Sequence, residues 1–377
     1  MPGEENDFME TCAAKPSLRR GWTTGACATA AARAAVEALF TGNFPDPVAI
    51  TLPNGARPSF ALATHEIGPS WAAAGIVKDA GDDPDVTHGA LVKSKAMRGE
   101  PGSSVQFRAG EGVGTVTRAG LPIPPGEPAI NPVPRQMIRE AVREAAALFG
   151  QPDDIVVEIS IPGGEKLAQK TLNGRLGIVG GLSILGTTGI VIPYSCAAWI
   201  DSIHRGIDVA RAAGVAHIAA ATGSTSESAA AKLYGLEDIA LIEMGDFAGG
   251  MLKYLRTHPI PRLTIAGGFA KLSKLAAGRL DLHSKRGAVD LSVLSAWIAQ
   301  FGGTEAHVAA AAEANTALEV LQIAKSAEIP LADHVAHLAR ETVSKTLAGS
   351  GIEVDVLVVG RDGQIVGRAA CPRVGRP

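Results

Sequence analysis

The sequence predicts an α+β N-terminal domain, then an α/β domain with a parallel, doubly wound (Rossmann-like) sheet, and a helical C-terminal part closing with a β-hairpin. Three observations carry this reading. A chain of 377 residues is ~2.5 times a typical domain, so two cores are the default. A hairpin signal and alternating strands fall before Gly150. After Gly150 a strand, a glycine-containing turn and a helix recur three times, the cadence of right-handed crossovers in a parallel sheet. The expected divisions are 1–150 (α+β, substrate side), 151–350 (α/β) and 351–377 (a closing hairpin added to a sheet edge).

Residues 1–17 read as a lead-in. A small-residue helix follows from Thr23 or Thr24 as N-cap to about Phe40, with Gly42 as its stop. The runs 48–52 and 56–64 flank Pro53-Asn54-Gly55, and Asn-Gly between alternating runs signals a hairpin. Segments 72–80 and 103–109 read as further strands of that sheet. The Pro-rich stretch 120–134 is excluded from helix or central strand, and a helix is expected over 135–149. Residues 154–161 form a β-branched run without alternation, as for a strand covered on both faces. The glycine-rich region 172–191 leads into a helix at 196–213. The repeating units then run through strands 215–223, 238–250 and 262–268, with helices near 226–234, 248–257 and 269–277. Helices are expected over 289–300, 304–326 and 332–347. The runs 352–360 and 364–370 flank Arg361-Asp362-Gly363, a second hairpin signal; which sheet receives that hairpin stays open.

Charge and composition bound the function. Lys and Arg total 35 against 38 Asp and Glu, which argues against a broad nucleic-acid surface. With 46% hydrophobic and 19% charged residues, the chain has the profile of a folded protein. Only 4% of residues are aromatic and 44 are glycine, so cores of Ala, Val, Ile and Leu joined by tight turns are expected. No window reaches ~18 uninterrupted apolar residues, so no membrane span is expected. The acidic opening lacks the basic start and apolar run of a secretory signal. Cys12, Cys27, Cys196 and Cys371 lie far apart without a CxxC pair, so reduced thiols, a cytoplasmic location and no structural zinc are expected.

In an open parallel sheet, ligands bind beyond the carboxyl ends of the strands. Three such ends carry turns that present backbone N–H groups: Thr222-Gly223-Ser224, Gly245 to Gly250, and Gly267-Gly268. The helix N-termini behind them suit phosphate or carboxylate. Glu243 and Asp246 end the second strand, where a carboxylate suits a ribose diol. Other motifs are weak or absent. GEGVGT (110–115) is not GxGxxG and precedes a strand, which favours a turn or bulge. Glu243-x-Gly245-x-x-x-Gly249 is half of a common methyltransferase glycine motif, with Phe247 where the next glycine belongs. There is no P-loop, HExxH or GxSxG. The acidic loop 78–87, with Asp79, Asp82, Asp83 and Asp85, fails EF-hand spacing; it reads equally as a cation site or as a turn capping its own backbone. His334 and His337 read as a polar helix face.

Several long strings are similar to one family. They are LRRGWTTGACATAAARAA (18–35), GIVKDAGDDPDVTHG (75–89), GEGVGTVTRAGLPIPPGEPAINPVPRQMI (110–138), IPGGEKLAQKTLNGRLGIVGGLSILGTTGIVIPYS (161–195) and MGDFAGG (244–250). Together they resemble the cobalt-precorrin-5B C1-methyltransferase family, CbiD, over about residues 18–270; beyond 280 the likeness is one of general layout. The resemblance implies methyl transfer from S-adenosylmethionine to C1 of a cobalt-containing tetrapyrrole, giving cobalt-precorrin-6A in anaerobic-type cobalamin biosynthesis. It implies no protein-bound metal and supplies no catalytic residues.

Such chemistry needs a slot for the donor and cations for the acceptor. The strand-tip residues Thr222, Gly223, Glu243, Asp246, Gly249, Gly267 and Gly268 are the expected cofactor site. A tetrapyrrole bearing acetate and propionate groups calls for Arg and Lys. Arg19, Arg20, Lys78, Arg135, Lys166, Lys170 and Arg175 are the candidates, each weighed against plain surface charge. Thr23, Thr24, Thr187 and Thr188 are placed to orient substrate groups or, equally for the first two, to cap a helix. Two other classes stay open: a nucleotide-dependent α/β oxidoreductase, which lacks its glycine fingerprint, and a non-catalytic tetrapyrrole-binding protein. The Ala-rich late helices suit packing across a homodimer, though the oligomeric state itself is not legible.

Overall fold

The computed structural model describes residues 18–283 and 288–371; the lead-in 1–17 with Cys12 lies outside them. The chain divides into two compact units, Met1–Cys196 and Ala197–Pro377.

The first unit is built on a five-stranded sheet in the order Thr64–Ile67, Trp71–Val77, Leu91–Arg98, Ile155–Ser160, Gln106–Ala109. Only the last pair is parallel. The helices Thr24–Thr41 and Pro132–Leu148 share its core. The first of them buries mostly small residues, eight of thirteen being Ala, so its backbone can approach the sheet closely. It starts where the Thr23 hydroxyl accepts the Ala26 N–H at 3.1 Å and stops at Gly42, φ 77°. The second begins three residues before its expected start at 135, because Pro132 and Pro134 occupy a first turn whose N–H groups need no partner.

Three further differences stand out. The Asn54-Gly55 hairpin forms, with Val48 opposite Phe60, but it is its own two-stranded sheet. The strand Leu91–Arg98 is unanticipated. The strand Ile155–Ser160, expected in the second domain, pairs with Leu91–Arg98 and Gln106–Ala109 at the heart of the first unit. The glycine-rich region stays with it: Ile178–Val179 pairs with Thr115–Val116, and Ile190–Val191 pairs with Gly21–Trp22.

The second unit holds a mixed sheet in the order Leu241–Glu243, His217–Ala221, Arg262–Gly268, Glu353–Val359, Ile365–Ala369. The first four strands are parallel and the last is antiparallel, so the closing hairpin joins this sheet at its edge. Alternate residues feed two cores. Ile218, Ala220, Ile265 and Val356 pack with the helices Cys196–Ala212, Ala248–Thr257, Phe269–Ala276 and Leu331–Thr346. Ala219, Ala221, Ala266 and Leu357 pack with Ser224–Tyr234. The strand His217–Ala221 is flanked on both sides by strands that follow it in the chain, so the strand order reverses beside its carboxyl end. The helix expected over 304–326 is two, Glu305–Glu313 and Ala317–Ser326. Thr316 and Glu319 explain the break: the Thr316 hydroxyl accepts the Glu319 N–H, and the Glu319 carboxylate accepts the Asn315 N–H.

Candidate functional site

Parallel pairing brings Ala221, Glu243 and Gly268 to one edge of the second sheet. The chain leaves His217–Ala221 through Thr222, whose N–H donates to Ala266 O at 3.0 Å, and Gly223. Among the described residues no side chain caps the helix that begins at Ser224, nor the one that begins at Phe269 after Gly268. Space is open at both turns: a Cβ placed on Gly223 or Gly268 would meet no heavy atom within 4 Å. Gly267 is closed, since its Cβ would press on Thr222 at 2.9 Å. Gly249 is committed to structure, its N–H donating to Leu280 O at 2.9 Å.

The two carboxylates of the second strand end part company. Glu243 is exposed and its carboxylate accepts no hydrogen bond among the described residues, while its carbonyl accepts Trp199 Nε1 at 3.3 Å. Trp199 and Phe247 lie with ring centroids 6.4 Å apart beside Gly245, giving this turn an aromatic wall. Asp246 is paired: its Oδ1 lies 3.0 Å from Lys271 Nζ. That oxygen is buried and, among the described residues, accepts no hydrogen bond, so the contact is ionic without hydrogen-bond alignment. Lys271 also donates to Thr222 O at 3.1 Å, tying two strand ends together from the helix behind the third. Lys271 and Trp199 escape the sequence reading, and Phe247 enters it only as a departure from a glycine motif. A lysine three residues past a Gly-Gly turn is the one signal available for Lys271, and it is common.

In the first unit the pairing of Gly21–Trp22 with Ile190–Val191 gathers Arg19, Arg20, Thr23, Thr24, Thr187 and Thr188. The two helix-start threonines serve the fold: Thr24 Oγ1 accepts Leu185 N–H and donates to Leu185 O, and Thr23 caps its helix. Thr188 closes a turn on Ile190. Arg19 forks onto Asp79, whose carboxyl is held down to about 2 by that guanidinium and by the Gly81 N–H. Lys78 is buried against Asp85. Arg135 spends its donors on Glu127, Pro128 O and Ile130 O, holding the Pro-rich loop. Arg20 is exposed, without a side-chain partner among the described residues, and it precedes Gly21, whose partner Val191 is followed by Ile192. Ile192 and Tyr194 are large exposed apolar residues, at 53% and 64% exposure, and Leu185 is exposed nearby in the chain. Lys166 and Lys170 are exposed and Arg175 is half-buried, and the strand pairing above does not bring them to Arg20.

The acidic loop is bonded half to its own backbone and half to backbone outside it. Asp79, Asp82, Asp83 and Asp85 accept, respectively, from Gly81 N, Arg19 N, Tyr194 N and Thr87 N. Among the described residues no cluster of three or more His, Cys, Asp or Glu could hold a metal ion. The GEGVGT glycines are closely packed: a Cβ on Gly112 would sit 2.0 Å from Ile161 O, one on Gly110 2.2 Å from Ser160 Oγ and one on Gly114 2.5 Å from Ile178 Cγ2. His334 meets Trp297 and Phe301 edge-on, and burial lowers its pKa. Burial pushes the Cys27 thiol up to about 12, so it is no nucleophile. Among the described residues no helix is long and apolar enough to cross a membrane.

A family model described as CbiD matches residues 11–193, and one described as the CbiD C-terminal domain matches residues 281–370. The second match corrects the expectation that family likeness fades beyond 280. A Bradyrhizobium sp. (strain BTAi1) protein named cobalt-precorrin-5B C(1)-methyltransferase is 63% identical over 351 residues, 93% of each chain. An Agrobacterium fabrum protein of the same name is 59% identical over 352 residues, again 93% of each. A crystal structure of the Archaeoglobus fulgidus cobalamin biosynthesis protein (cbiD) is 30% identical, covering 71% of this chain and 83% of that one, with a TM-score of 0.39.

Proposed function

The chain belongs to the CbiD family, and from that premise we propose how its residues serve the family's reaction. The activity is C-methylation of cobalt-precorrin-5B at C1, a step of cobalamin biosynthesis. The methyl donor we assign is S-adenosylmethionine, which when bound supplies a sulfonium methyl open to in-line displacement by an electron-rich carbon. Positioning alone contributes ~7 kcal/mol or more to such a transfer; a triad or metal is not required for it.

The donor site we place at the carboxyl edge of the mixed sheet, where a strand-order reversal favours a crevice. The observation that carries this is the convergence of open turns at Gly223 and Gly268 with the unbonded carboxylate of Glu243. The uncapped helix ends offer N–H donors, Glu243 suits the ribose diol, and Trp199 with Phe247 suits the adenine face. Thr222, Gly249 and Gly267 shape the turns. Asp246, being paired, leaves the ribose role to Glu243.

The tetrapyrrole face we place around Arg20 in the first unit. Exposed Leu185, Ile192 and Tyr194 offer apolar area for a flat ring, and Arg20 offers an uncommitted guanidinium for a peripheral carboxylate. Arg19 and Thr187 border it in the chain, while Lys166, Lys170 and Arg175 are further cations that we assign to peripheral carboxylates. Lys78, Arg135, Thr23, Thr24 and Thr188 support the fold beneath. The test is incubation with methyl-deuterated S-adenosylmethionine and cobalt-precorrin-5B. Mass spectrometry should find the whole labelled methyl on the ring product; an unlabelled or unmethylated ring overturns the donor assignment.

A further inference from the structure

We propose that the Lys271–Asp246 pair recognises the zwitterionic amino-acid end of the methyl donor. This deepens the donor reading above and rests on it. An α-amino acid carries a carboxylate and an ammonium on one carbon. An ion pair of matching size and opposite order is its complement, and Lys271 Nζ lies 3.0 Å from Asp246 Oδ1.

Each partner has unused capacity. Lys271 carries three donors; one is on Thr222 O, and its bond there leaves room for a ligand carboxylate. Asp246 Oδ1 is buried with Lys271 Nζ 3.0 Å away and, among the described residues, accepts no aligned hydrogen bond. The exposed part of the carboxylate, away from that buried oxygen, is left for a ligand ammonium. Both side chains are partly accessible, 37% and 23% exposed, so a ligand can reach the pair.

The pair is also held still. Leu282 N–H donates to Asp246 O at 3.0 Å, and Gly249 N–H to Leu280 O, so the 280–282 segment clasps the turn that carries Asp246. Buried Lys274 donates to Leu282 O and His283 O, fastening that segment to the helix that carries Lys271. Both charges are therefore pre-set in geometry, which lowers the ordering cost of binding. The open turns at Gly223 and Gly268 leave the adenosine part to other residues, so the two halves of the ligand are separable by experiment.

Titration calorimetry of the full chain with S-adenosylhomocysteine and with 5′-methylthioadenosine, which lacks the amino-acid end, tests this. Wild type should bind the first at least ~10-fold more tightly, about 1.4 kcal/mol. Lys271→Met and Asp246→Asn should collapse that preference towards unity while leaving the second affinity unchanged. Lys271→Arg, which keeps a donor and the charge, should retain it. A preference that survives both neutral variants overturns the proposal, as does an equal loss of both ligands, the mark of a merely structural pair. If wild type binds neither ligand, or Gly268→Val leaves both affinities untouched, the strand-tip donor site itself fails.

Discussion

The Lys78 ammonium, 1% exposed, donates to Asp85 Oδ2 at 2.7 Å and so closes the acidic loop from beneath. Asp85 in turn takes Thr87 N–H and its hydroxyl on the other oxygen. The loop is pinned to a buried charge, and its remaining carboxylates are turned to Arg19 and to Tyr194 N–H. A residue that the sequence offers for substrate is thus the foundation on which an arginine and an exposed tyrosine stand.

Replacing Lys78 by Met leaves Asp85 half-buried without its partner. Breaking such a pair costs about 3–5 kcal/mol, so a fall of that size in chemical denaturation is expected. A loss below about 1 kcal/mol would show that the loop does not depend on the pair.

The close approach of the first strand to this loop sets a second expectation. A Cβ on Gly21 would lie 2.0 Å from the Ala80 carbonyl carbon, and one on Gly81 would lie 2.1 Å from Arg19 O. Gly21→Ala should cost more than about 2 kcal/mol, as overpacking against backbone does, whereas Gly55→Ala should cost about 1 kcal/mol, because only its φ of 83° resists. Equal melting temperatures for the two variants contradict this.

Tyr194 adopts φ 59°, a strained choice for a non-glycine residue, and its side chain is exposed. Tyr194→Ala and Arg20→Ala should each raise KM for the tetrapyrrole several-fold, with little change in kcat or melting temperature. Steady-state kinetics on both variants checks the tetrapyrrole face, and wild-type KM for both removes it.

Stability of the second unit should depend on pH through His217. Burial lowers its pKa, aided by Arg262, and its Nε2 lies 2.8 Å from Thr264 Oγ1. The folded ring stays neutral where the unfolded one, with an ordinary value near ~6.5, protonates. Stability is thus full above that value and falls as pH drops towards the depressed folded value. Denaturation at a series of pH values should show this decline, and His217→Gln should flatten it; a parallel decline in the variant assigns it to another group.

Much of this was readable in the residues, and the failures have physical causes. The three strand–turn–helix units were legible because each strand ends in a glycine turn and each helix has an apolar face. Leu91–Arg98 was not, because its inward residues are Val92, Ser94 and Ala96; Ser94 is buried only because its hydroxyl donates to Ala28 O. The run Ile155–Ser160 misled in its placement, since an inner strand of a mixed sheet is as uniformly apolar as one in a parallel sheet. Nothing local separates Lys78, buried in an ion pair, from Arg20, which is exposed and without a side-chain partner among the described residues. Lys271 acquires meaning only through Thr222 and Asp246, about 49 and 25 residues away along the chain.

The central claim is that the donor lies at the glycine turns of the second unit. A crystal structure of the full chain with S-adenosylhomocysteine tests it most directly. Density is expected beside Gly223, Glu243, Gly268 and Lys271, with the amino-acid end on the lysine. The same ligand seated away from those strand ends, with these turns unchanged, would contradict it.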